Sequence, residues 1–164
     1  MTTPTPSPTA ATAAPAGADE VQTLTIRRET LVEAPPEVVF ESLLAQLGPE
    51  SEMPDGKPFP MRIEAWPGGR WFRDLGNNTG HHWAHVQVIK PPTLLELCGP
   101  LFMSYPAVSH VQYRIGQEGA RSRLSVVHRA MGLITPEHRE GVSEGWQYEL
   151  DRVKAAAERR AKNC

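Results

Sequence analysis

Sulfur, net charge and long apolar runs are all scarce in this chain. Of its 164 residues two are cysteines, Cys98 and Cys164, too few for a disulfide framework and in keeping with a reducing cytoplasm. Cys98 falls in an apolar run and reads as a small core residue. No stretch is long and apolar enough to cross a membrane. Of the 19 acids, Asp19 and Glu20 lie in the N-terminal tail, and the rest balance the 17 bases. A formally neutral body gives nucleic acid or an anionic membrane no electrostatic hold, so neither is expected as a partner. The basic cluster Arg152, Lys154, Arg159, Arg160 and Lys162 suits the negative end of a helix dipole.

Catalytic signatures are missing too. No serine sits in a Gly-x-Ser-x-Gly elbow, and Cys98 has no identifiable partner base. Pro67-Gly68-Gly69-Arg70 and Gly76-Asn77-Asn78-Thr79-Gly80 match hairpin turns, not a phosphate-binding loop. His81, His82 and His85 suggest a metal at first sight. On a strand His81 and His85 share a face about 13 Å apart, with His82 pointing the other way, whereas one ion needs its ligands within about 2.1 Å. Neither a metal nor another cofactor is expected.

Residues 1–20 are Thr, Pro, Ala and Ser with no Lys, Arg or aromatic side chain. Such a tail cannot offset the entropy of ordering and is expected to be disordered. It lacks the basic start and apolar stretch of a secretory signal. Residues 21–164 read as one domain.

What is present is a meander of apolar runs. Alternation predicts strands at Val21–Val32, Met61–Trp66, Arg70–Leu75, His82–Lys90, Leu94–Cys98, Val108–Ile115 and Ser122–Arg129. Pro36 opens a helix with an apolar stripe at Val38, Val39, Leu43, Leu44 and Leu47. Glu50–Pro60 reads mostly as polar loop. The last two strands form a hairpin across Gly116–Ala120 with Gly116 facing Arg121, which puts Val111, Tyr113, Leu124, Val126 and His128 on the inner face. Thr135-Pro136-Glu137 starts a long helix reaching about Arg160. Val142, Trp146, Leu150, Val153 and Ala157 form its apolar stripe. Gly145 beside Trp146 suggests close approach of that helix to the sheet. This order predicts an α+β fold in which an antiparallel sheet curls around the final helix and leaves a pocket between them.

Aromatic residues are the candidate pocket walls: Trp71, Phe72, Trp83, Tyr113 and Trp146. His128, on the inner face, is a candidate to bond a ligand or act as acid or base. The apolar connection Gly99–Pro106, with Phe102 and Tyr105, reads either as a lid or as a subunit contact in a homodimer.

Four motifs in order along the chain, Ala34-Pro35-Pro36 with Val39-Phe40, Pro67-Gly68-Gly69-Arg70-Trp71, Pro91-Pro92 after a strand, and Glu144-Gly145-Trp146 followed by Leu150, resemble the SRPBCC, or START-like, superfamily. Within it they are most similar to the branch named after the C-terminal domain of the activator of Hsp90 ATPase. The resemblance spans about residues 22 to 160. It implies a helix-grip (START-like, Bet v 1-like) fold with a hydrophobic cavity. Other branches bind lipids, hormones or polyketides, and some are cyclases. Three functions follow as expectations: binding of a small hydrophobic or amphipathic molecule, a cyclase- or dehydratase-type reaction using His128 with Tyr113, or a chaperone-related contact through Leu101–Tyr105.

Overall fold

The computed structural model describes residues 20–102 and 105–163. The tail expected to be disordered lies outside the described residues except for Glu20, and so do Met103, Ser104 and Cys164. Seven strands form one antiparallel sheet in the order β1-β7-β6-β5-β4-β3-β2. They are β1 (Gln22–Val32), β2 (Arg62–Ile63), β3 (Arg70–Gly76), β4 (Thr79–Lys90), β5 (Leu94–Gly99), β6 (Ala107–Glu118) and β7 (Arg121–Gly132), with α1 (Pro36–Leu47) after β1 and α2 (Pro136–Lys162) last. The chain has the helix-grip fold: the sheet presents one face to the helices and the other to solvent, the one-sided burial that alternating strands allow.

Each element follows from its residues. Leu24 and Ile26 of β1 are buried between exposed Thr23, Thr25 and Arg27. Pro36 begins α1, which buries Val39, Phe40, Leu43 and Leu47. Thr135 caps α2 by accepting the His138 backbone N–H at 3.4 Å, and α2 buries Val142, Trp146, Leu150, Val153 and Ala157 as one stripe. That stripe packs with Leu124, Val126, Val111 and Tyr113 in a single core.

Four local expectations change. The β6–β7 hairpin is longer than its glycines suggested: Gly116 faces Arg123, Tyr113 faces Val126 and Val111 faces His128. The two-residue turn is Gly119-Ala120, where Gly119 takes a left-handed φ of 64° that glycine adopts at no steric cost. The pairing moves by two residues, so every side chain keeps its expected face. The strand expected over Met61–Trp66 pairs only at Arg62–Ile63, because Glu64 turns to hold Arg70, its carboxylate taking the Arg70 backbone N–H at 2.9 Å and Nε at 3.0 Å. Cys98 is half-buried. Leu95 and Leu97 take the inner face of β5, which leaves Cys98 on the outer face in register with His85 and His110. Finally, a β-bulge interrupts β3–β4: Trp71 pairs with Ala84 and Phe72 with His82, leaving Trp83 as the extra residue. A bulge sets two consecutive residues toward one side. His82 therefore joins His85 on the outer face, their rings 4.4 Å apart, where simple alternation had separated them.

Candidate functional site

The bulge has a second consequence. It turns Trp83 toward Trp71, their rings edge-on at 5.0 Å. Trp71 is itself fixed, since its indole N–H donates to the Leu47 carbonyl at 2.7 Å and so satisfies the C-terminal end of α1. Phe59 and Phe102 meet Trp83 at 6.0 and 5.7 Å. These rings form one wall of a cavity of about 450 Å³. The helix wall is Val142, Trp146, Glu149 and Arg152 of α2, and Met53 and Pro54 line the cavity from the segment after α1.

The cavity sits at one end of the helix-sheet interface. The remainder of that interface is filled by Leu24, Ile26, Leu124, Val126, Leu150 and Val153. The segment 50–60, read as loop from its polarity, is strapped to α2. The Tyr148 hydroxyl donates to the Met53 carbonyl at 3.1 Å and Arg152 donates to the Glu50 carbonyl at 2.9 Å. Arg152 also pairs with Glu52 at 3.1 Å and Arg160 with Glu50 at 2.7 Å. Two of the basic residues assigned to the helix end are therefore used to hold this segment.

Of the eight expected site residues, Trp71, Trp83, Phe102 and Trp146 come together on the cavity wall, and Phe72, Tyr105, Tyr113 and His128 do not line it. Phe72 points to the outer face, where the Arg70 guanidinium lies 4.4 Å over its ring. Strand alternation allows only one of Trp71 and Phe72 to turn inward. Tyr105 packs on His138, ring centres 4.9 Å apart. Tyr113 is fully buried beneath Trp146, and its hydroxyl donates to Glu149 at 2.5 Å.

His128 is also fully buried. Trp146 donates its indole N–H to His128 Nδ1 at 3.0 Å, and His128 Nε2 lies 2.9 Å from Ser109 Oγ. An indole nitrogen can only donate, so Nδ1 is the acceptor and the ring proton sits on Nε2, facing Ser109. Both nitrogens are engaged. Burial lowers the imidazole to about 4, which keeps it neutral. The expected acid–base pair of His128 and Tyr113 is therefore a buried hydrogen-bonded prop for α2, with neither group on the cavity wall. Among the described residues no group of three or more His, Cys, Asp or Glu side chains is placed to hold a metal ion.

Glu149 escaped the sequence reading. It sits three residues after Trp146, at the edge of the apolar stripe, and no expectation was attached to it. In the fold its carboxyl lines the cavity on top of the Tyr113 hydroxyl. Burial raises it to about 7, against the lowering effects of Tyr113 and Arg152. Gly141 and Gly145 both line the cavity and are exposed, and a Cβ added at either meets nothing within 4 Å. Gly145 thus lies beside open space where close packing was expected.

The two buried titrating groups give a test in pH. His128 has a folded value of about 4 against its ordinary 6.5. Between these the unfolded chain binds the extra proton, so this group adds stability as pH rises. Glu149, at about 7 against 4.5, does the reverse: its contribution is complete below 4.5 and lost as pH climbs through 7. The slopes oppose each other from pH 4.5 to 6.5, so urea unfolding of the wild type should give a nearly level profile there. Glu149→Gln should instead gain roughly 2 kcal/mol from pH 4.5 to 6.5. A level profile in that variant would mean that His128 is not held neutral.

The family model described as Activator of Hsp90 ATPase homolog 1-like protein matches residues 33–158. No curated protein sequence matches the chain. Solved structures share the fold at low identity. A protein from Rhizobium leguminosarum is 17% identical, with a TM-score of 0.67 over 85% of this chain and 97% of its own. Protein CV1439 from Chromobacterium violaceum is 21% identical, with a TM-score of 0.61 over 82% of this chain and 96% of its own. CalU16 from Micromonospora echinospora is 17% identical, with a TM-score of 0.57 over 85% of this chain and 87% of its own. No helix among the described residues is long and apolar enough to cross a membrane.

Proposed function

Because this chain belongs to the activator of Hsp90 ATPase homolog 1-like family, a helix-grip group, we propose that it is a binding protein for one small hydrophobic or amphipathic molecule. The observation that carries this reading is the cavity of about 450 Å³, which lies in the range of small-molecule sites. Its accessible wall is mainly aromatic and aliphatic, and part of it comes from a segment tied to α2 at several points. Gly141 and Gly145 of α2 also line it. Each costs a helix about 1 kcal/mol relative to alanine, and at neither position would a neighbour obstruct a methyl group.

Among the described residues the wall holds no hydrogen-bonded pair of nucleophile and base, and the reading is one of binding without covalent chemistry on the guest. Titration with Nile red, an apolar dye, should give a saturable fluorescence rise with one site per chain. Thermal-shift screening against lipids, aromatic compounds and polyketides should then return ligands that displace the dye. No saturable dye binding, together with no stabilising compound, would defeat the reading.

A further inference from the structure

We propose that the cavity selects organic cations, with Glu149 as the anchor that recognises an ammonium group and the Trp83-centred aromatic wall holding the apolar body. This inference rests on the binding role just proposed and names the class of guest.

Glu149 has a hydrogen-bond donor but no counter-charge of its own. Its Oε1 accepts from the Tyr113 hydroxyl, and among the described residues no basic side chain forms an ion pair with it. Arg152, the basic group on the same wall, is already engaged by the Glu52 carboxylate and the Glu50 carbonyl. Tyr113 favours the ionised carboxyl by donating to it, while burial alone opposes ionisation. A carboxyl in this position is completed by a cation that arrives with its own apolar surroundings. Trp83 supplies them, with Trp71, Phe59 and Phe102 arranged around it. Aromatic faces carry partial negative charge and attract ammonium groups within a desolvated pocket. A guest carboxylate would meet Glu149 and Glu52, with the Arg152 guanidinium already occupied. A neutral alcohol would gain the hydrogen bond but neither charge term.

The groups around Glu149 and on the cavity wall set its pH behaviour. Tyr113 from β6 bonds the carboxyl from behind the wall, and Arg152, His138 and Tyr148 from α2 and Glu52 from the segment after α1 line the cavity. Of the groups with a resolved shift, Glu149 is the one that changes charge near neutrality. An ammonium guest binds its carboxylate form and drives off the proton.

Three indoles that differ only in the end group provide the test: tryptamine (cation), tryptophol (neutral) and indole-3-acetate (anion), titrated calorimetrically at pH 6 and pH 8. At pH 8 tryptamine should bind at least tenfold tighter than tryptophol, with indole-3-acetate weakest. Tryptamine affinity should rise by roughly tenfold from pH 6 to pH 8, following ionisation of Glu149, while tryptophol stays level. Glu149→Gln should lower tryptamine affinity at least tenfold, to the level of tryptophol in the same variant, with circular dichroism showing that the variant is folded. Tryptophol binding as tightly as tryptamine, indole-3-acetate binding best, or a cation preference that survives Glu149→Gln each overturns the inference while leaving the binding role standing. Failure of all three indoles and of Nile red would remove both.

Discussion

Trp146→Ala is expected to leave the protein largely unfolded at room temperature. Trp146 is 4% exposed and lies at the centre of the helix-sheet contact, against Tyr113 on one side and His128 on the other. Truncating a buried tryptophan costs about 3–5 kcal/mol. The same change removes the donor to His128 Nδ1 and leaves a buried acceptor unmatched, at about 1–3 kcal/mol. Even allowing for incomplete additivity, the loss is comparable with the roughly 5–15 kcal/mol that holds a domain of this kind together. Trp146→Phe goes part of the way, since it keeps an aromatic ring and removes the indole N–H together with the volume of the second ring. Its cost should be about 1–3 kcal/mol, and much of that should disappear in a His128→Leu background, where no acceptor is left waiting. Chemical denaturation followed by circular dichroism measures all of these. A loss under about 1 kcal/mol in Trp146→Ala would mean that α2 is not gripped through this residue.

The second large effect falls on binding and leaves folding alone. Gly141→Leu combined with Gly145→Leu should abolish the uptake of Nile red, or weaken it at least a hundredfold, about 2.7 kcal/mol, without loss of stability. Both positions lie on the helix wall of the cavity, and a Cβ built there meets nothing within 4 Å. Two leucines turned into the cavity would take up part of its about 450 Å³ with the chain's own atoms. Replacing glycine inside a helix also improves helix propensity, by up to about 0.8 kcal/mol at each site, so the melting temperature should hold or rise. Stability retained with binding lost is the diagnostic combination, because a merely damaged fold would lose both. If the double variant takes up the dye as the wild type does, the guest lies elsewhere.

The two predictions rest on parts of the molecule that the sequence revealed to different degrees. The α2 stripe was legible because 3.6-residue periodicity is local: Trp146, Leu150 and Val153 must share a face once the segment is helical. The inner face of the β6–β7 hairpin was legible for the same kind of reason. A pairing error of two residues leaves the alternation unchanged, so Tyr113 and His128 were placed inside even though the turn was misplaced. Trp83 lies on the cavity wall as expected, but simple alternation put His82 on the wrong face beside it. One extra residue reverses the parity of everything beyond it, and the bulge that seats Trp83 beside Trp71 and His82 beside His85 carries no glycine or proline at that point to announce it.

Glu149 and Gly145 failed differently. Gly145 was read by the usual meaning of a glycine beside a helical stripe, close packing, and Glu149 carried no signal at all. What they face is set by partners far away in sequence, Tyr113 across 36 residues and the 50–60 segment tied to α2 by Tyr148 and Arg152. The amino-acid sequence by itself determined the order of elements, the buried faces and the family motifs, because periodicity and turn chemistry act between near neighbours. Only the tertiary structure decided where empty space remains and which polar groups look into it. A cavity is the volume that several distant segments together fail to fill, and no local pattern encodes that difference.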